Sequence, residues 1–235
     1  MDYKLAITLK SAVSPGSGQG WAGMIDSDIV FDELGVPFIP ARRIKGVLRD
    51  NARDLIYALM HAHVPDQYSF TMGDEIPNND LNLLFGKEGQ EASAPLMIGN
   101  AYLEKYAEIQ PWIKWAQQSF PEIVSRERVS LFFTSLRQQT AIDRNTDTAL
   151  EHSLRITRVL KPGYTFISDI RLEIDNLDRF ERLLALAVQV TRYLGSKRNR
   201  GLGSVECHLI KKGINLQTPT LNAYQPILLR EVNNG

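Results

Sequence analysis

Hydrophobic and polar positions alternate with the period of a half-buried strand in several stretches of this chain. Tyr3, Leu5, Ile7 and Leu9 oppose Lys4, Ala6, Thr8 and Lys10. From 164 to 175, Tyr164, Phe166, Ile170, Leu172 and Ile174 share one side. From 203 to 211, Val205, Cys207 and Leu209 oppose Glu206, His208 and Ile210. The apolar run Leu96 to Leu103 predicts a further, buried strand. Elsewhere the period becomes helical. Ile44, Val47, Leu48, Leu55 and Leu59 mark a helix over about 41–60, and Phe180, Leu183, Leu184, Ala187, Val190, Tyr193 and Leu194 mark another over 178–194. Strand, loop, helix and strand are thus followed, further along, by strand, helix, glycine loop and strand. Those are the two halves of a βαββαβ core, and the fold class expected is α+β, ferredoxin-like, with the layout of an RNA-recognition motif (RRM-like).

The remaining length sits outside that core, and the whole of 1–217 reads as one domain. Residues 14–20, SPGSGQG, form a loop whose small residues permit close backbone approach to a ligand. Residues 66–95 are polar and broken by glycine and proline, so an insertion with little regular structure is expected there. A helical insertion follows at about 104–124, where Tyr106, Ile109, Ile113 and Ala116 keep helical spacing with an interruption at Pro111. Trp112 and Trp115 share a face of it and read as packing residues. Between apolar ends, Gln138 to His152 has too few apolar residues to bury a face. A projecting hairpin, a thumb over about 133–155, accounts for it. The tail, 218–235, holds Pro219, Pro226 and several asparagines and is expected to be irregular.

Composition narrows the possibilities. At 235 residues and 43% hydrophobic the chain can bury a real core. Formal net charge is zero, so contact with nucleic acid has to come from local patches. The single cysteine, Cys207, excludes an internal disulfide framework and fits a reducing compartment. Met1-Asp2 runs directly into YKLAITLK, without the basic start and apolar run of a leader, and no apolar segment approaches the ~20 residues that span a bilayer. A cytoplasmic protein without membrane contact is expected. His61, His63, His152 and His208 show no zinc spacing with Cys207, which predicts no structural metal.

Charge is segregated in two places. In 20–53 the acids Asp26, Asp28, Asp32 and Glu33 precede Pro37 and Pro40, and the bases follow. At ~100° per residue, Arg42, Lys45, Arg49 and Arg53 fall on one helix face within roughly 80°, beside Arg43. A solvated face is the plain alternative, and Asp50 and Asp54 dilute the ridge. The second place is GSKRNRGLG, which sets Lys197, Arg198 and Arg200 among Gly195, Gly201 and Gly203. Glycines let main-chain amides turn toward a phosphate, and guanidinium grips it through paired hydrogen bonds. The loop has neither the Gly-Lys-Ser/Thr of a Walker A motif nor the GxGxxG order of a dinucleotide fold. Two basic patches in a neutral protein point to RNA held by its phosphates.

These motifs carry a family resemblance. GSKRNRGLG before a last strand resembles the glycine-rich signature of the RAMP superfamily, the repeat-associated proteins of CRISPR systems. GMIDSDIVFDELGVPFIPARRIKGVLR resembles the family's acidic loop, Pro-x-Ile-Pro turn and Lys-Gly-x-x-Arg helix. Leu84-Phe85-Gly86 and Thr140-Ala141-Ile142-Asp143 with Thr146 match two shorter motifs in family order. The similarity is greatest to the backbone subunit of type III effector complexes, and Ala41-Arg42-Arg43 after the second proline looks like the III-D branch. The resemblance implies a guide-RNA-binding subunit that assembles with other effector subunits or copies of itself and cleaves complementary target RNA. Asp26 matches the family's catalytic aspartate, while Asp28 and Asp32 fall where loop packing is expected. Arg42, Arg43, Lys45, Arg49, Arg53, Lys197, Arg198, Arg200, Gly201 and Gly203 would hold guide RNA. Ile142, Asp143 and Arg144 would lie in the thumb that wedges between nucleotides. A divalent cation, Mg²⁺ or Mn²⁺, could serve cleavage, with no organic cofactor. A non-cleaving structural subunit is the alternative. Guide-processing relatives commonly use a histidine near the chain start, and here the first is His61, which ranks that reading last.

Overall fold

The computed structural model describes residues 1–16, 28–62, 64–73, 75, 79–87, 94–140, 155–196 and 201–232, with side chains as far as Tyr224. In chain order the elements begin with strands β1 (Asp2–Leu9), β2 (Val30–Phe31) and β3 (Pro37–Phe38). Helices α1 (Ala41–His61) and α2 (Asp80–Phe85) lead to β4 (Leu96–Ile98) and β5 (Tyr102–Leu103). Helices α3 (Tyr106–Ser119) and α4 (Arg126–Phe133) precede a hairpin of β6 (Thr134–Gln139) and β7 (Arg155–Leu160). The chain then returns through β8 (Thr165–Leu172), α5 (Leu177–Val190), β9 (Val205–Lys211), β10 (Ile214–Asn215) and α6 (Gln217–Val232).

The main sheet is antiparallel and runs β10–β9–β1–β8–β4, with β5 also on β8. With α1 between β1 and β4, and α5 between β8 and β9, this is the ferredoxin-like βαββαβ arrangement. Register puts every core position of β1 beside core positions of its neighbours: Leu5 pairs with Ser168 and Leu209, Ile7 with Phe166 and Cys207. That face is covered by α1 and α5. On α1 the buried residues Ile44, Leu48, Ala52 and Ile56 recur every four positions, which is what a helix crossing a sheet requires. Among the described residues, no helix is long and apolar enough to cross a membrane.

Several expectations are corrected. The tail is not irregular: from Gln217 it forms α6, which packs on α5. Pro219 falls in the first helical turn, where a missing N–H costs nothing. Gln217 starts the helix from a buried position, donating to the Cys207 carbonyl at 2.7 Å. Tyr224 is buried, and its hydroxyl donates to the Tyr68 carbonyl at 3.0 Å. Helix α5 stops at Val190 rather than 194, leaving Val190 and Tyr193 exposed. Within 66–95 the apolar island folds as α2, capped by the Asn79 side chain, which accepts from the Asn82 N–H at 2.9 Å. Helix α3 runs through Pro111, which forfeits only the bond to Ala107 near the helix start. Trp112 and Trp115 do not pack inside. They are 71% and 54% exposed, because α3 turns Tyr106, Ile109 and Ile113 inward.

The expected hairpin exists at its base. β6 and β7 pair from Thr134–Leu160 to Gln139–Arg155 as a separate ribbon, while 141–154, with Ile142, Asp143 and Arg144, lie outside the described residues.

Candidate nucleic-acid interface

Helix α1 begins after Pro40, which has no side chain able to cap it; Asn100 Oδ1 accepts from the Ala41 N–H at 2.9 Å instead. The first turn carries Arg42 and Arg43 and no acid. Cations at the positive end of a helix dipole are unfavourable by about 0.3–1 kcal/mol each, so an anion is the natural complement of this turn. Arg43 Nη2 lies 3.7 Å from where a Cβ on Gly16 would stand, placing the guanidinium beside the first glycine loop.

The second glycine loop reaches the same place. The Ser196 N–H donates to the Ser14 carbonyl at 2.9 Å, and Gly195 passes so close that a Cβ there would stand 2.3 Å from that oxygen. At the loop's other end the Gly203 N–H donates to the Ala12 carbonyl at 2.8 Å, and the Leu194 N–H donates to the Gly203 carbonyl at 2.8 Å. Gly195 and Gly203 have φ of 92° and 87°, which non-glycine residues rarely adopt. Gly201 (φ 73°) stands in open surroundings. Lys197, Arg198 and Arg200 lie outside the described residues, but the loop ends that carry them are fixed against 12–14. The described ends of both glycine loops and the arginine-bearing start of α1 therefore lie side by side.

The basic ridge does not continue there as one track. Lys45 Nζ donates to the Leu96 carbonyl at 3.3 Å, and Arg49 Nη2 to Asn82 Oδ1 at 3.2 Å. Burial, and then the charge of Arg49, lower the Lys45 pKa. Arg53 stands 3.5 Å from both Asp50 and Asp54. Leu96 of β4 and Asn82 of α2 thus engage Lys45 and Arg49 on this helix face, beyond the first turn that carries Arg42 and Arg43.

Asp26 lies outside the described residues; Asp28 and Asp32 do not, and both have packing tasks. Asp32 Oδ1 accepts from the N–H groups of Leu34 at 2.9 Å and Val36 at 2.8 Å, which folds the β2–β3 turn. The Tyr106 hydroxyl donates to Asp32, and burial together with that carboxylate raises the tyrosine's pKa. Asp28 pairs with Arg158 on β7, at 3.2 Å from Nε to Oδ1. Among the described residues no group of three or more His, Cys, Asp or Glu side chains could hold a metal ion. Asp28 and Asp32 are thus engaged by protein groups.

On the sheet face away from the helices, Lys10 pairs with Glu206 and Arg171 with Asp2. The Tyr102 ring stacks on Tyr106 and leans on Phe38. A shallow cleft of about 690 Å³ there is lined by Lys4, Asp169 and Arg171 over Met97 and Ile210.

Sequence reasoning missed Arg158, Asn100 and the Ser14–Gly195 contact. An alternating strand and a lone serine look alike in any setting. The only available cue was the glycine density on both sides of the contact.

A family model, RAMP superfamily, matches residues 16–206. No curated protein matches the chain in sequence. Among solved structures, the chain is similar to a protein of the cryo-EM structure of the Type III-B Cmr-beta bound to cognate target RNA. The TM-score is 0.62 and the identity 13%, over 91% of this chain and 99% of that one. A protein of the Type III-B Cmr-beta cryo-EM structure in the apo state gives 0.60 and 13% over the same shares. At that identity the likeness is one of fold.

Proposed function

This chain belongs to the RAMP superfamily, and from that premise we propose that it is a guide-RNA-binding backbone subunit of a type III CRISPR ribonucleoprotein. Its partners are guide RNA, complementary target RNA and other effector subunits or copies of itself. The observation that carries RNA binding is the meeting of Arg43, at an acid-free helix start, with the described ends of both glycine loops. Main-chain amides and guanidinium groups there suit a row of phosphates and read no base. The likeness in fold to a protein of a complex bound to target RNA supports the reading.

We propose further that Asp26 serves cleavage of the target. The target's own 2′-hydroxyl attacks the adjacent phosphorus when the backbone is bent in line. The P–O5′ bond breaks, leaving a 2′,3′-cyclic phosphate and a 5′-hydroxyl that takes up a proton. The carboxylate of Asp26 accepts the proton of the attacking hydroxyl. The thumb supplies the bend. A divalent cation, if bound, would screen phosphate charge, and none of these steps depends on it.

The test is a reconstituted guide-loaded complex with labelled target RNA. Asp26→Ala should lower cleavage by about 10²–10⁴-fold, the usual worth of a positioned proton acceptor, with guide and target binding retained. Full cutting by Asp26→Ala at the sites this subunit occupies would leave a structural, non-cleaving role.

A further inference from the structure

Both ends of the segment that contains Asp26 are fastened to one strand, β7, the returning arm of the thumb hairpin. At the leading end Val13 and Leu160 exchange backbone hydrogen bonds, the Val13 N–H to Leu160 O at 3.1 Å and the Leu160 N–H to Val13 O at 2.7 Å. At the trailing end the Asp28 carboxylate faces the Arg158 guanidinium at 3.2 Å. Arg158 and Leu160 stand roughly 7 Å apart along the strand. Between them Val159 is fully buried in a small cluster with Ala12 and Leu202, so the end of the glycine–arginine loop rests on the same strand.

The Asp28–Arg158 pair is enclosed. Its side chains are only 14% and 18% exposed, and the guanidinium lies 5.5 Å from the centre of the Phe31 ring. Asp28 Oδ1 also accepts the Ile29 N–H at 2.7 Å. Arg158 Nε is buried at pairing distance without hydrogen-bond alignment, so the attraction is between charges rather than along one bond. An enclosed ion pair is often no more stabilising than an apolar contact of the same size. What this one adds is a fixed relation between two elements, the acidic segment and the thumb strand.

We propose that Asp28 and Arg158 are positioning residues for target cleavage: their ion pair holds the segment bearing Asp26 to thumb strand β7. Engagement of target RNA by the thumb and placement of the aspartate are then set together. This rests on the reading of Asp26 given above, and neither residue is assigned a contact with RNA.

The experiment uses the reconstituted guide-loaded complex. Arg158→Gln and Asp28→Asn should each lower single-turnover cleavage at saturating target by about 10²-fold, the effect of a misplacement on the order of 1 Å. Guide and target affinities should not change. The charge exchange, Asp28→Arg with Arg158→Asp, should restore most of the rate, and Arg158→Lys should retain it; Asp26→Ala should respond to neither. Wild-type rates in both single variants, or an exchange no faster than the singles, overturn the proposal. Amide hydrogen exchange on the same complexes separates positioning from unfolding. Faster exchange should be confined to residues 13–31 and 155–160 and reversed in the charge exchange. Loosening throughout the main sheet counts against the proposal. If the wild-type complex does not cleave, the reading of Asp26 fails by itself. The exchange pattern still decides the coupling, since unchanged protection of 13–31 in Arg158→Gln ends it.

Discussion

At the scale of residues, the Asp80–Arg179 pair shows how the chain places charge inside. Arg179 Nε and Nη2 each donate to the Asp80 carboxylate at 2.8 Å, and the Thr71 N–H and hydroxyl complete the set. Burial alone would raise the Asp80 pKa, but the Arg179 and Thr71 hydrogen bonds prevail and lower it. A carboxylate lowered by folding gives stability that is complete above its ordinary value of ~3.9 and is lost as pH falls through the folded pKa. Asp80→Asn should therefore flatten the acid side of a plot of urea midpoint against pH. Arg179→Ala, which strands the buried acid, should cost about 3 kcal/mol near neutrality. None of this was legible beforehand, because Asp80 sits in a polar stretch that resembles many exposed ones. Asp26, which lies outside the described residues, was singled out only by its place in the family pattern, directly after Gly23-Met24-Ile25. Asp28 and Asp32, expected in packing roles, do make structural contacts, but their partners, Arg158 and Tyr106, come from a strand and a helix far along the chain.

At the scale of elements, periodicity found the strands and helices that bury one face and failed where an element buries more. Residues Leu183 to Val188 are all buried, because α5 is covered by the sheet and α1 on one side and by α6 on another. Reading only one apolar face of α5 left Ala185, Leu186 and Val188 unexplained. A second cover was their requirement, and the asparagines and prolines of the tail concealed it. Tyr224→Ala should cost about 3 kcal/mol by opening a cavity between α6 and the 66–68 turn. Thermal melting measures it, and an unchanged midpoint would mean that α6 does not contribute to the fold. Helix α3 is the converse case. The pairing of Trp112 with Trp115 was read correctly as a shared face, yet that face points outward, since a period reveals which residues go together and not which way they turn.

At the scale of the molecule, zero net charge has a measurable consequence. With no global field to attract RNA, the salt dependence of guide binding reports only local contacts. Each phosphate held on a single strand contributes roughly 0.7 to the slope of log affinity against log salt, so replacing Arg42 and Arg43 together by alanine should reduce it by about 1.4. Replacing Lys45 and Arg49, whose partners are Leu96 and Asn82, should change it far less. Filter binding from 50 to 400 mM salt distinguishes the pairs, at points on the order of the usual range. Equal slopes for the two double variants would return the ridge to a single track.

The same molecule also comes ready for site-directed chemistry. Cys207 is its only cysteine, buried on β9 beside Ile7 of β1, with burial pushing its thiol pKa up to about 12. Thiol reagents should pass it by while the chain is folded, so dyes or spin labels attached to cysteines introduced at Trp112 or Leu136 would report without background. In the unaltered chain, modification of Cys207 should wait for the sheet to open. The rate of its labelling then becomes a clock for native-state unfolding, readable inside an assembled particle where optical melting is not.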